Sequence, residues 1–208
     1  MSQSVTDEGA RTEKGSRRAE LLAIAADLFA NRGFKNTTVR DIADAAGILS
    51  GSLYHHFDSK ETMIDEILTT FQEELLDRYE VIKASDLDAR AKFEAIIRIS
   101  FETIRDHRSE VAIYQNETAH LGVHGRYSYL NPKIARMREL WIGLLEEGVA
   151  TGVFRPGIDT EVIYRFVRDT VWVAVKWYRP DGGLTAEELA GQYLSILFDG
   201  IAIQHEPV

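Results

Sequence analysis

The sequence predicts an all-α protein, with a three-helix helix-turn-helix head followed by a larger helical body, about nine helices in total. Apolar residues recur at three- and four-residue spacing along most of the 208 residues, and no stretch alternates as a strand would. Capping residues and helix-ending glycines divide this pattern into segments of ordinary helix length. We expect a disordered tail over residues 1–15, the head over 16–60 and the body over 61–208.

The first helix of the head is predicted between a Ser16 cap and a Gly33 stop, with Leu21, Ala25 and Phe29 on its buried stripe. Leu22 and Leu28 belong to the same stripe, so one face of this helix should be buried.

Two short helices joined by a glycine turn are predicted between residues 38 and 60. Thr38 is placed to cap the first of them, and Asp41 occupies the acidic position of a capping box. Gly47 can adopt the positive φ that ends a helix, after which a second short helix begins near Ser50. This is the layout of a helix-turn-helix that binds DNA.

The second short helix should bury Leu53 and Phe57, which are four residues apart, and present its other side to DNA. Small residues at its start would let it approach base edges, and the hydroxyl and imidazole groups that follow can bind phosphate oxygens. The predicted DNA-binding residues are Thr38, Arg40, Ser50, Gly51, Ser52, Tyr54, His55, His56 and Lys60. The adjacent histidines cannot share a metal in the usual geometry, because neighbouring helical positions point about 100° apart. The alternative to DNA contact for these two histidines is a solvated pair.

The net charge of −9 lies outside the predicted head. Residues 1–60 hold eight basic and eight acidic side chains, whereas residues 61–208 hold 16 basic and 25 acidic ones. Phosphates respond to the local field, so the acidic body does not exclude DNA binding. Within the head, we expect one basic side formed by Arg11, Lys14, Arg17, Arg18, Arg40 and Lys60.

The body should begin with a long helix that is capped by Asp58 or Ser59 and continues to about Ala84, joining the two parts. Asn131 as cap and Pro132 as first helical residue should open a later helix. Further helices are predicted at 87–107, 109–121, 131–152, 160–178 and 185–201, with a loop over 122–130 and a Thr185–Glu188 capping box before the last.

The segment Glu161–Arg179 has a cationic and aromatic face that indicates a site for an anionic ligand with an apolar part. An arginine at 168 could bind a carboxylate, thioester or phosphate oxygen while Trp172, one turn later, covers an apolar ring system. The alternative is a solvated or interfacial stripe in which Arg168 pairs with an acid at 161, 169 or 117. The opposite face, expected to pack inward, is Ile163, Phe166, Val167, Thr170, Val173, Ala174 and Trp177. The predicted ligand-binding residues are Tyr114, Arg165, Arg168, Trp172 and Lys176.

No catalytic or metal site is predicted, and no cofactor. The chain has no cysteine, which removes thiolate nucleophiles and disulfides. Its adjacent glutamate pairs are typical of solvated helix faces, and His120 with Glu117 is a weak metal pattern. The composition and the lack of an apolar run of about 20 residues indicate a cytoplasmic protein without a membrane span.

The residues of the head resemble those of the TetR family of bacterial repressors, named for the tetracycline repressor. The likeness lies in Phe29 and Gly33, in TVRDIA from Thr38, in Gly47, and in LYHHF from Leu53 followed by SKE. A narrower resemblance, carried by GILSGSLYHHF, the YRFVRDT segment and the closing QYL, is to regulators of steroid ring breakdown in cholesterol-degrading bacteria.

This resemblance implies a homodimeric repressor that binds a palindromic operator in double-stranded DNA and is released by a small-molecule effector. In the family, the last two helices pair with those of a second copy as a four-helix bundle. The narrower likeness implies a coenzyme A thioester of a steroid ring fragment as effector. Alternatives are a repressor for a fatty acyl-CoA or a drug, an α-helical ligand carrier or enzyme, and an architectural dimer that responds to no metabolite.

Overall fold

A computed structural model describes residues 5–121 and 125–201 of the chain, and within these ranges it contains nine α-helices, two 3₁₀ helices and no strand. The all-α fold class is confirmed. The α-helices are α1 Val5–Arg32, α2 Val39–Ala45, α3 Ser50–Leu53, α4 Lys60–Lys83, α5 Ala89–Asp106, α6 Arg108–Leu121, α7 Asn131–Ala150, α8 Thr160–Trp172 and α9 Ala186–Ile201. The 3₁₀ helices are Gly125–Leu130, before α7, and Val173–Lys176, after α8.

The first helix is longer than the sequence predicts. It begins at Val5, so the expected start at Ser16 is wrong, and residues 5–15 of the expected disordered tail are helical. The physical reason is that no proline interrupts this stretch: its glutamate, arginine, lysine and alanine residues favour a helix, and Gly9 and Gly15 weaken a helix without ending it. Residues 1–4 lie outside the described ranges.

Two predicted helix ends in the body also need correction. Leu130, rather than Asn131, is the N-cap of α7, and it makes no side-chain capping bond, because the preceding 3₁₀ helix runs directly into α7. The α-helix expected to reach Tyr178 ends at Trp172, and the chain tightens into a 3₁₀ turn. Valines in alternate positions from Val171 lower helix propensity there, and 3₁₀ turns are frequent at helix ends.

Two clusters of buried apolar side chains form the interior, and α4 contributes to both. Met63 and Ile64 belong to the cluster of the head, whereas Phe71, Leu75 and Tyr79 belong to the cluster of the body. Helix α1 packs on α2, α4 and α6, and α5 packs on α7, α8 and α9. The long helix therefore connects the two parts through packed side chains as well as through the chain. None of the described helices is long and apolar enough to span a membrane.

Candidate DNA-binding and ligand-binding sites

The start and the end of α2 are fixed by the local features that the sequence predicts. Thr38 accepts a hydrogen bond from the backbone N–H of Asp41, and the Asp41 carboxylate accepts one from the Thr38 N–H at 2.8 Å. Hydrogen bonds to the carboxylate from the Thr38 hydroxyl and from the Thr38 backbone N–H lower the pKa of Asp41, with smaller contributions from Arg32 and Arg40. Gly47 has a φ of +66° at the end of α2, a conformation that glycine adopts without strain. The predicted capping box and glycine turn are confirmed.

Helix α3 is a short element with a buried anchor and an open outer side. Leu53 and Phe57 are buried at 1% and 3% exposure, as predicted, while Tyr54 is 55% exposed. A Cβ atom added to Gly51 would meet nothing within 4 Å. The outer side therefore offers small residues and a tyrosine hydroxyl to a concave partner such as a DNA groove.

The basic residues of the head divide into bound and open ones. Arg18 donates to the Glu66 carboxylate and to the His56 carbonyl and lies 4.0 Å from the centre of the Phe57 ring, so it braces the head internally. Arg17 donates to the Ala46 carbonyl and bonds Glu20. The expectation that both would join an outer basic side is wrong, because unpaired helix-end carbonyls and nearby carboxylates bind them first.

Lys60 and Arg40 differ in the same way. The Lys60 ammonium donates to the carbonyls of Phe34 and Thr37 at 2.8 Å each and lies over the Phe34 ring. Two of its three N–H donors are therefore used within the head, and one remains for a phosphate oxygen. The Arg40 side chain is 84% exposed and forms a 3.6 Å ion pair with Asp44. Both stay predicted DNA contacts, and Arg40 is the more open of the two.

The second candidate site is a cavity of about 430 Å³ in the body, a volume within the usual range for small-molecule pockets. Four helices supply its wall, α4, α6, α7 and α8, so the site is assembled from distant parts of the sequence. The lining residues are Phe71, Gln72, Leu75, Tyr79, Tyr114, Gln115, Ile134, Met137, Trp141, Tyr164, Arg168, Asp169 and Trp172.

The faces of α8 are partly the reverse of the expectation. Tyr164 and Trp172 are buried at 6% and 8% exposure, whereas Phe166 and Trp177, expected to pack inward, are 66% and 56% exposed. Val173 is also exposed. The reason is that the cavity allows polar-tipped aromatic residues to be buried with their hydroxyl or indole N–H near open space, so apolarity alone does not mark the inner face.

Three of the five predicted ligand-binding residues meet at the cavity: Tyr114, Arg168 and Trp172. The Arg168 Nε donates to Asp169 at 2.7 Å, and its guanidinium carbon lies 5.5 Å from the centre of the Tyr164 ring. Burial raises the pKa of Tyr164, and the Arg168 charge opposes that rise. Arg168 therefore pairs with Asp169, one of the acids that the alternative interpretation named. The pair is partly exposed and both of its members line the cavity.

The other two predicted residues lie outside the cavity lining. Arg165 bonds Glu161 at 2.9 Å on the surface of α8, and Lys176 is exposed on the 3₁₀ turn. Conversely, the sequence reasoning missed Gln72, a fully buried residue of the cavity wall. A signal was available, because Gln72 lies four residues after Leu68, a member of the buried stripe of α4, where an amide is unusual.

The chain matches two family models that together span most of its length. The model described as bacterial regulatory proteins, tetR family, covers residues 21–67, which include α2 and α3. The model described as tetracyclin repressor-like, C-terminal domain, covers residues 86–201, which include three of the four cavity helices.

Named relatives are similar over nearly the whole chain. A repressor of Rhodococcus jostii, called HTH-type transcriptional repressor KstR2, is 58% identical over 92% of this chain and 94% of its own length. The protein of the same name from Mycobacterium tuberculosis is 49% identical over 89% of this chain and 93% of its own. A solved structure of the ketosteroid transcriptional regulator KstR2 of Mycobacterium tuberculosis has a TM-score of 0.87 at 48% identity and covers 90% of this chain and 96% of that one.

Proposed function

Because this chain belongs to the TetR family of bacterial regulatory proteins and is a ligand-responsive transcriptional repressor of that non-enzymatic class, we propose the following details of its action. It binds a palindromic operator as a homodimer, and an acyl-CoA thioester of a steroid-ring degradation intermediate releases it. The observation that carries this proposal is the pairing of an exposed α3 with a cavity whose wall includes the connecting helix α4.

On the DNA side, the proposal rests on the open outer face of α3. Gly51 has free space above it, Tyr54 is exposed, and Arg40 extends from the start of α2. One short helix contacts few base pairs, so specificity requires two copies acting on two half-sites about 34–36 Å apart or a multiple of that spacing.

The second copy is proposed to dock on the exposed apolar side of α8 and α9. Phe166, Trp177 and Ile196 are 66%, 56% and 76% exposed. Val162, on α8, and Val173, on the 3₁₀ turn after it, are exposed as well. Large apolar side chains grouped on a surface are typical of protein interfaces. This location agrees with the four-helix dimer that the family resemblance implies.

The effector is proposed to place its apolar part in the cavity. Trp172, Trp141 and Tyr164 supply broad aromatic walls that suit a fused ring, and Arg168 supplies a cation for an acyl or phosphate oxygen. The similarity to the ketosteroid transcriptional regulator of Mycobacterium tuberculosis supports a steroid-derived ligand. Arg165 and Lys176, outside the cavity, remain candidates for the phosphates of coenzyme A.

Release would follow from a change in α4. This helix places Phe71 and Leu75 in the cavity wall and Met63 in the core of the head, so a ligand that shifts α4 also changes the spacing of the two heads. A ligand can do this only if it binds the released arrangement more tightly than the DNA-bound one.

The test is an operator-release titration. The operator is first found by selecting bound genomic fragments, and a coenzyme A thioester of a reduced steroid ring fragment is then added to the complex. Arg168→Met should keep operator affinity and require at least about tenfold more thioester for release, since a charge-assisted hydrogen bond contributes about 1.5–3 kcal/mol. Trp172→Leu should behave similarly.

Arg155→Met is the matched control, because Arg155 is exposed and does not line the cavity. It should release as the wild type does. Recovery of no palindrome among the selected fragments would contradict the dimeric operator, and unchanged release curves for both cavity variants would contradict the ligand site. A long-chain fatty acyl-CoA that releases the operator equally well would contradict the steroid assignment.

A further inference from the structure

The connecting helix α4 buries an amide that the fold itself leaves without hydrogen bonds. Gln72 is 0% exposed, and neither its Oε1 nor its Nε2 atom has a hydrogen-bond partner of normal geometry in the described structure. A buried polar group is normally hydrogen-bonded, and an exception calls for an explanation. Because Gln72 lines the cavity, the space in front of its amide is the place to look for one.

The neighbouring groups of the cavity do not satisfy this amide. The Tyr79 hydroxyl already bonds Ser100 at 2.6 Å, and Phe71 and Leu75, on the same helix, are apolar. Tyr114 is the polar neighbour of Gln72. Burial raises the pKa of Tyr114 to about 12, and the nearby Gln72 amide acts in the opposite direction. The two side chains are close, but neither amide atom of Gln72 has a hydrogen bond of normal geometry. The wall at this point therefore presents an uncharged donor and an uncharged acceptor.

We propose that Gln72 is a specificity-determining residue, whose amide hydrogen-bonds an uncharged oxygen substituent, a ring ketone or hydroxyl, on the buried apolar part of the effector. This inference rests on the proposed function, in which the cavity holds the acyl part of a coenzyme A thioester. An amide can match such an oxygen without the desolvation of a second charge.

The same amide would select against plain hydrocarbon chains. A fatty acyl tail that fills the cavity would cover Gln72 and leave both of its polar atoms unpaired. Sites built to hydrogen-bond a substrate group discriminate strongly against an analogue that lacks it, for this reason. Gln72 would thus separate oxygenated ring fragments from ordinary fatty acyl thioesters of similar size.

The experiment uses two coenzyme A thioesters that differ by one ketone, 3-cyclohexylpropanoyl-CoA and 3-(4-oxocyclohexyl)propanoyl-CoA. Calorimetry gives the Kd of each for the full-length wild type, for Gln72→Met, which nearly keeps the side-chain shape, and for Asn116→Leu. Asn116 is the control because it also carries an amide but is exposed on α6 and does not line the cavity. Should Gln72→Met fail to fold, Gln72→Leu takes its place.

The wild type and Asn116→Leu should prefer the ketone by at least about tenfold, and Gln72→Met should lose or reverse this preference. Without ligand, Gln72→Met should melt at a higher temperature than the wild type, because an unpaired buried amide has been removed.

Equal affinity of the wild type for the two thioesters, or a ketone preference that persists in Gln72→Met, would overturn the role of Gln72 and leave the acyl-CoA proposal standing. Binding of neither thioester by the wild type would overturn the acyl-CoA proposal and this role with it.

Discussion

The head and the body place their candidate functional side chains in opposite environments. In the head, Tyr54 is 55% exposed and the Arg40 side chain is 84% exposed, whereas in the body Trp172 is 8% exposed and Gln72 is fully buried. The head can therefore change its contacts with DNA without changing its core. In the body, the groups that would bind the ligand are also part of the packing, so recognition and stability are harder to separate.

The largest expected effect lies on the outer face of α3. Gly51→Leu should lower operator affinity by about 100-fold or more, since the added side chain would hold the helix away from base contacts worth about 1–3 kcal/mol each. The melting temperature should stay near that of the wild type, because a Cβ atom at Gly51 meets nothing within 4 Å. Fluorescence anisotropy with labelled operator and thermal unfolding would measure the two effects. Wild-type affinity in the folded variant would show that α3 does not enter the groove.

In the body, adding a side chain at a buried glycine should lower the stability of the fold. A Cβ atom at Gly148 would lie 2.2 Å from the Phe154 ring, so Gly148→Ala should destabilise the protein by about 1–3 kcal/mol through overpacking. Gly143→Ala, on the same helix and with open space above it, should stabilise by up to about 1 kcal/mol through helix propensity. Urea unfolding of the pair tests this contrast, and similar stabilities of the two variants would contradict the packing of Phe154 on α7.

The two capping boxes allow the same change to be made in both regions. Thr185 and Glu188 repeat before α9 the bonds that Thr38 and Asp41 make before α2. Thr38→Ala and Thr185→Ala should each cost about 1 kcal/mol of stability. Only Thr38→Ala should also weaken operator binding, measured where both variants are fully folded. Equal operator affinities would remove Thr38 from the DNA contacts.

The smallest expected effect is on the pH dependence of stability at acid pH. Threonine partners lower the pKa of Asp41 and of Glu188, so each carboxylate contributes stability above its unfolded pKa, which is lost as the pH falls through its lowered folded pKa. Both groups are exposed, so the change should be slight. Asp41→Asn and Glu188→Gln should each flatten the pH dependence of the melting temperature below about pH 4.5. A pH dependence identical to that of the wild type would mean that the ionised box contributes nothing.

Local chemistry explains why the head was predictable. The Thr38 capping box, the positive φ of Gly47 and the burial of Leu53 follow from residues within a few positions of one another, and the structure confirms each. The destinations of Arg18 and Lys60 do not follow, because their partners, Glu66 and the Phe34 carbonyl, become neighbours only after the helices pack.

The cavity was less predictable for the same reason. Its wall draws on four helices, so no short pattern describes it. The prediction found Arg168 and Trp172 through their chemistry on one helix, but it assigned Phe166 and Trp177 to the inside, since apolarity does not distinguish a core from an interface. Gln72 stands out in the sequence as an amide on the buried stripe of α4, but the cavity that it lines is formed only when the other helices pack against α4.

Communication between the two regions is the central claim, and calorimetry of the thioester with and without saturating operator tests it most directly. Because coupling is reciprocal, the Kd of the steroid acyl-CoA should rise by about tenfold or more when operator is bound, and the operator Kd should rise by the same factor when the thioester is bound. A thioester Kd that is the same with and without operator would contradict it.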